Sequence, residues 1–108
     1  MIASNTDSIP DREVSELLGV VTGNVVKAKH VGRDIFAGLK SIVGGEIRAY
    51  SELMSEARAE AYARMEEHAR RRGADAILNV RFTTSMIQQG MSEVLAYGTA
   101  VRLRAPQD

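Results

Sequence analysis

From Glu46 to Arg72 the chain carries one unbroken helical pattern, and no other feature limits its possible folds so strongly. At about 100° per residue, Tyr50, Leu53, Met54, Ala57, Ala61, Met65 and His68 fall on one side, and Glu52, Glu56, Glu66 and Arg70 on the other. Glu46 stands in the first turn and Arg70, Arg71 and Arg72 in the last, which suits the helix dipole, and Gly73 is placed to end the helix. A helix with one apolar stripe must lay that stripe on a second layer. The small residues Ala57 and Ala61 in the middle of the stripe permit a close approach to that layer.

The flanking segments supply the layer. Leu17–Thr22 and Val25–Val31 are β-rich, and Gly23-Asn24 between them predicts a hairpin turn joining two short antiparallel strands. Asp75 to Met86 alternates, with Ala76, Leu78, Val80 and Phe82 on one face and Asn79, Arg81 and Thr83 on the other. Gln88-Gln89-Gly90 makes the reversal, and Glu93 to Arg104 returns. Leu95, Tyr97, Val101 and Leu103 share one face of the returning strand; Ala96, Gly98 and Ala100 share the other, where something packs closely. Arg33 to Ile42 has the apolar spacing of a short helix, ended by Gly44-Gly45. Residues 1–14 are polar and broken by Ile9-Pro10-Asp11, a turn or an edge segment, and residues 105–108 form a tail. The expectation is a single α+β domain over residues 1–108, an antiparallel sheet packed on one long helix.

Charge narrows the partners. Residues 1–45 carry five charges of each sign, 46–72 six of each and 73–108 three of each, so no segment offers the basic excess that phosphate neutralisation demands. A nucleic-acid partner is not expected. Cysteine is absent, which removes disulfides, thiolate nucleophiles and thiolate metal cages together. The first residues lack the basic and apolar regions of a leader, and no run approaches the roughly 18 apolar residues of a membrane span. A cytoplasmic protein without a membrane partner is expected.

Several ordered blocks also carry a family resemblance. They are Gly19-Val20-Val21-Thr22-Gly23, Gly32-Arg33-Asp34-Ile35 with Gly38, Val43-Gly44-Gly45-Glu46 with Tyr50, Ala57-Arg58, Gly73-Ala74-Asp75-Ala76 and Tyr97-Gly98-Thr99-Ala100-Val101. Over essentially the whole chain to Arg104 the sequence resembles the YbjQ-like family, whose members are described as heavy-metal-binding without an established function. The resemblance implies a dodecin-like two-layer subunit that assembles as a ring-shaped homopentamer, with short extra strands helping subunits join. The chain departs from the family pattern at Asn5-Thr6-Asp7 and at Asp11, which stands where glycine is usual.

Two sets of residues are candidates for a site. For a divalent or soft metal ion, the available imidazoles are His68, within the helix stripe, and His30; each also reads as an ordinary packed histidine with bonded ring nitrogens. A ring would present five copies of either, so one ligand per subunit could build a site. The second set is the glycine-rich entrance to the long helix: Gly44, Gly45 and Glu46 at the helix start, Arg33 with Asp34 before it, and Tyr50 one turn inside. Exposed helix N–H groups with a nearby arginine favour a small anion. The competing reading of the same residues is a tight turn and an Arg33-Asp34 ion pair serving structure alone. Asp34, Glu46 and Asp75 have no spacing that enforces acid and base roles, and no triad pattern occurs, so no catalytic residue is expected. The sequence therefore points to a binding ring, with a purely structural or protein-interaction ring as the alternative.

Overall fold

The computed structural model describes residues 1–28 and 44–105, with 44–47 as helical backbone. The short helix expected over Arg33–Ile42 lies outside the described residues. The elements are β1 (Ile2–Ala3), β2 (Val14–Ala28), α1 (Gly44–Arg71), β3 (Ala76–Gln88) and β4 (Met91–Leu103). The four strands form one sheet in the order β1-β3-β4-β2, and α1 lies on one face of it, chiefly over β2 and β4. The sheet is mixed, not purely antiparallel as expected: β1 runs parallel to β3, pairing Ile2 with Ala76 and Ala3 with Ile77. The polar N-terminal segment thus supplies an edge strand.

Gly23-Asn24 is not a turn. β2 runs unbroken across it, in antiparallel register with β4 from Val14↔Leu103 to Ala28↔Met91. The glycine answers to packing, since a Cβ there would collide with the Ala61 carbonyl and the Met65 nitrogen of α1. The absence of a side chain lets helix and strand meet backbone to backbone, which is where the small stripe residues Ala57 and Ala61 are buried.

β3 departs from simple alternation at Asn79, whose φ of 53° marks a bulge between Leu78 and Arg81. One extra residue reverses every side chain beyond it. Ile77 and Val80 join the core beneath α1, while Ala76 and Leu78 face the other way and pack with Val101, Leu103 and Ile9. The single face expected for Ala76, Leu78, Val80 and Phe82 is therefore split. The N-terminal segment follows the bulge, with Asn79 N–H donating to the Thr6 carbonyl and Val80 N–H to the Ser4 carbonyl, both at 2.9 Å. Asp11, in the turn after Ile9, has a φ of 62°, which explains why glycine suits that position.

The main core joins Ala57, Ala61, Met65 and Ala69 of α1 to Val21 and Val25 of β2, Ile77 of β3, and Val94, Ala96 and Ala100 of β4. The small face of β4 receives the helix, as its sequence implies. Gly44 and Gly45 belong to the first turn of α1. At the other end Gly73, φ 80°, donates to the Arg70 carbonyl at 2.9 Å, and Ala74 N–H donates to the Ala69 carbonyl at 3.0 Å. This pair of bonds is the Schellman closure.

Candidate functional site

Among the described residues β2 is an edge strand, so half of its backbone groups point away from the sheet. The flank of α1 covers them. Glu60, Arg64, His68 and Arg72 recur every fourth residue, forming one row beside the buried stripe. Arg72 Nη1 donates to the carbonyls of Leu18 (3.3 Å) and Val20 (3.1 Å). Thr22 N–H donates to His68 Nδ1 at 3.1 Å. Arg64 Nη1 donates to the Asn24 carbonyl at 2.6 Å, while its Nη2 holds Glu60 Oε1 at 3.1 Å. Lys27 closes the row with a 3.1 Å ion pair to Glu60.

Beside this row lies a groove of 330 Å³ lined by Thr22, Gly23, Asn24, Arg64, Glu67, His68 and Arg71. Because His68 Nδ1 accepts from Thr22, the proton of the neutral ring resides on Nε2. The Thr22 carbonyl lies 3.3 Å from the same Nδ1. Glu67 reaches Arg70 at 3.8 Å and Arg71 at 4.0 Å, long contacts between exposed groups. Two guanidinium groups, Arg64 and Arg71, and one carboxylate, Glu67, thus line the groove. Over on the other flank of the stripe, burial pushes the Tyr62 hydroxyl up from its usual 10.0, and the Glu66 carboxylate adds to the rise.

Of the described sequence candidates, His68 lines this groove and Tyr50 does not. Tyr50, half-buried, shares a 3.0 Å hydrogen bond with the buried Ser92, which ties the first half of α1 to the start of β4. Gly44, Gly45 and Glu46 form the beginning of α1, with only their backbone described, and Arg33, Asp34 and His30 lie outside the described residues. His68 is not central in the apolar stripe, which runs through Ala57, Ala61, Met65 and Ala69; it lies half-buried at the margin with Nδ1 bonded. Asp75 accepts Leu103 N–H on Oδ2 at 2.8 Å, which ties the start of β3 to the end of β4. Arg64, Glu67, Arg71 and Arg72 were not among the sequence candidates. Arg64 and Arg72 carried a signal in their four-residue spacing with His68, and Glu67 and Arg71 in their spacing from each other, but both read equally as a solvated charged face.

Among the described residues no group of three or more His, Asp or Glu side chains gathers to hold a metal. The surroundings of His68 also run against a cation, because guanidinium groups on both sides repel one and Nδ1 is occupied. The described residues of the chain do not fit a metal centre.

Comparison with known proteins places these features in a family. A family profile described as putative heavy-metal-binding matches residues 1–104. A UPF0145 protein of Vibrio parahaemolyticus is 63% identical over 103 residues, covering 95% of this chain and 98% of its own length. A UPF0145 protein of Archaeoglobus fulgidus is 61% identical over 104 residues, covering 96% of each. A crystal structure from Pediococcus pentosaceus, of a protein with unknown function in the DUF74 family, shares the fold with a TM-score of 0.66. It has 15% identity and covers 96% of this chain and 98% of that one. The α+β chain described here, one helix on a four-stranded mixed sheet, belongs to the YbjQ-like family.

Proposed function

We propose that the chain is one subunit of a cytoplasmic homopentameric ring that binds a ligand and transforms none. The observation that carries assembly is the apolar surface left uncovered in the monomer. On the sheet face opposite α1, Leu17 is 70% exposed, Val20 61%, Val26 48% and Tyr97 36%. On the far half of β3, Phe82, Met86 and Ile87 are exposed as well. β1 pairs only with Ala76 and Ile77, so among the described residues no strand lies along the outer edge of β3 from Arg81 to Gln88. An apolar strand with an open edge is a template for another strand. With fourteen charges of each sign, copies of the chain have no net repulsion to overcome. A second copy of the same chain is the occupant this surface suits, and the number five comes from the family resemblance.

Support for a cytoplasmic location is the cysteine-free sequence, together with the absence among the described residues of any helix long and apolar enough to cross a membrane. The family description supports a divalent or soft metal as cargo. Since one subunit's described residues do not fit a metal, its ligands would have to come from several copies or include residues beyond those described. Native mass spectrometry of untagged protein tests both parts. A mass of five subunits supports the ring, and a single-chain mass overturns it. Stoichiometric uptake of an added metal by the intact ring supports metal cargo; a ring that retains none leaves the structural or protein-interaction role.

A further inference from the structure

We infer that the groove between Thr22–Asn24 and the His68 flank of α1 is a binding site for a small oxyanion, a phosphate or carboxylate group. The groove is built from donors. Arg64 is held in place through the Asn24 carbonyl and Glu60, with both terminal nitrogens engaged, so it shapes the wall before any ligand arrives. His68 is oriented by Thr22, and its Nε2–H has no partner among the described residues. Among the described residues, Arg71 has one polar contact, 4.0 Å from Nε to Glu67, which engages neither of its terminal nitrogens. A guanidinium with two free N–H groups beside an imidazole N–H matches the paired oxygens of a carboxylate or phosphate.

The opposing charge is small. Glu67 is the single carboxylate lining the groove, and its contacts to Arg70 and Arg71 are long enough that an anion would displace them at little cost. A metal ion is poorly served by the same set, since it would meet two guanidiniums and a protonated Nε2. The 330 Å³ volume exceeds a bare phosphate, leaving room for an organic substituent on the anionic group. All of these residues come from one chain, so the site does not depend on the ring.

The test is titration of the full-length protein with inorganic phosphate at low salt, followed by calorimetry and by the His68 ring signals in NMR. Saturable binding that shifts those signals is expected. Arg71→Gln should weaken it about tenfold, the scale of one charge-assisted pair, and Glu67→Gln should tighten it. Arg33→Gln, in the other anion candidate read from the sequence, should change nothing. The inference is overturned if phosphate does not saturate, or if Arg71→Gln and Glu67→Gln both leave affinity unaltered. Loss of binding in Arg33→Gln alone would move the anion to the helix entrance. His68 signals that answer to zinc but not to phosphate would overturn it in favour of a metal.

Discussion

The sheet ends in two edges, and the chain finishes them in opposite ways. Along β2, Arg72, His68 and Arg64 occupy outward-facing backbone groups of Leu18, Val20, Thr22 and Asn24, so a neighbouring strand finds them taken. Along β3, the N-terminal segment covers only the stretch up to Val80, and the remainder carries exposed Phe82, Met86 and Ile87 with no adjacent strand among the described residues. The difference follows from where α1 lies. Resting over β2 and β4, it can reach past one edge of the sheet but not the other. A sealed edge protects against indiscriminate pairing and an open apolar one is a template for another strand, so in the ring proposed above the β3 edge is the one available for joining subunits.

The largest effect should come from breaking the contact that holds α1 over β2. Gly23→Val puts a branched side chain into the Ala61 and Met65 backbone, which neither element can yield without separating. A loss of about 3 kcal/mol or more is expected in denaturant unfolding, at the upper end for overpacking; a variant as stable as the parent would mean the helix does not sit where it is described. Next in size is the open edge. Met86→Glu with Ile87→Lys should reduce the assembly to single chains by light scattering while circular dichroism stays unchanged, because both side chains are exposed in the monomer. An intact ring would place the subunit interface elsewhere, with the bare face around Leu17 and Val20 as its natural seat.

Much of this was legible in the sequence, and the failures have identifiable causes. The extent and C-terminal closure of α1 follow from its stripe and from Gly73, and the β3–β4 reversal from Gln88-Gln89-Gly90, where Gly90 has a φ of 78°. Gly23-Asn24 misled because a glycine needed for close approach is locally identical to one needed for a turn. The face of Phe82 was misassigned because a single positive φ at Asn79 shifts the register, and asparagine in a strand does not announce it. His68 could be singled out, but its partner is a backbone amide forty-six residues away, a contact no local pattern encodes. For the same reason the arginines of the sealed edge read as solvated charge until the fold brought β2 beneath them.

Unsealing the β2 edge should cost less than either change above. Arg72→Ala removes the bonds to the Leu18 and Val20 carbonyls, and about 1 to 2 kcal/mol is expected because the donor is charged but the site is open to water. Faster hydrogen exchange near Leu18–Val20, without change in β4, would localise the loss to the edge. A change below about 0.3 kcal/mol, the scale of an idle surface pair, would mean that water serves the strand as well as the arginine does.

The smallest effect belongs to the flank of α1 turned away from the sealed edge, where Tyr62 packs against the core beside Glu66. Burial, reinforced by the Glu66 charge, raises the folded pKa of this phenol above the 10.0 of the unfolded chain. Its contribution to stability is therefore intact below that value and is lost as pH rises through the folded pKa, since the unfolded state gives up the proton first. Tyr62→Phe removes the titrating group and keeps the ring. Unfolding measured from about pH 9 to 11.5 should show a shallower decline for the variant than for the parent, with the two differing by a constant offset near neutrality. Parallel declines would mean that the hydroxyl is fully hydrated in the folded state, and that this flank of the helix, like the open edge beyond it, is left to solvent until a partner covers it.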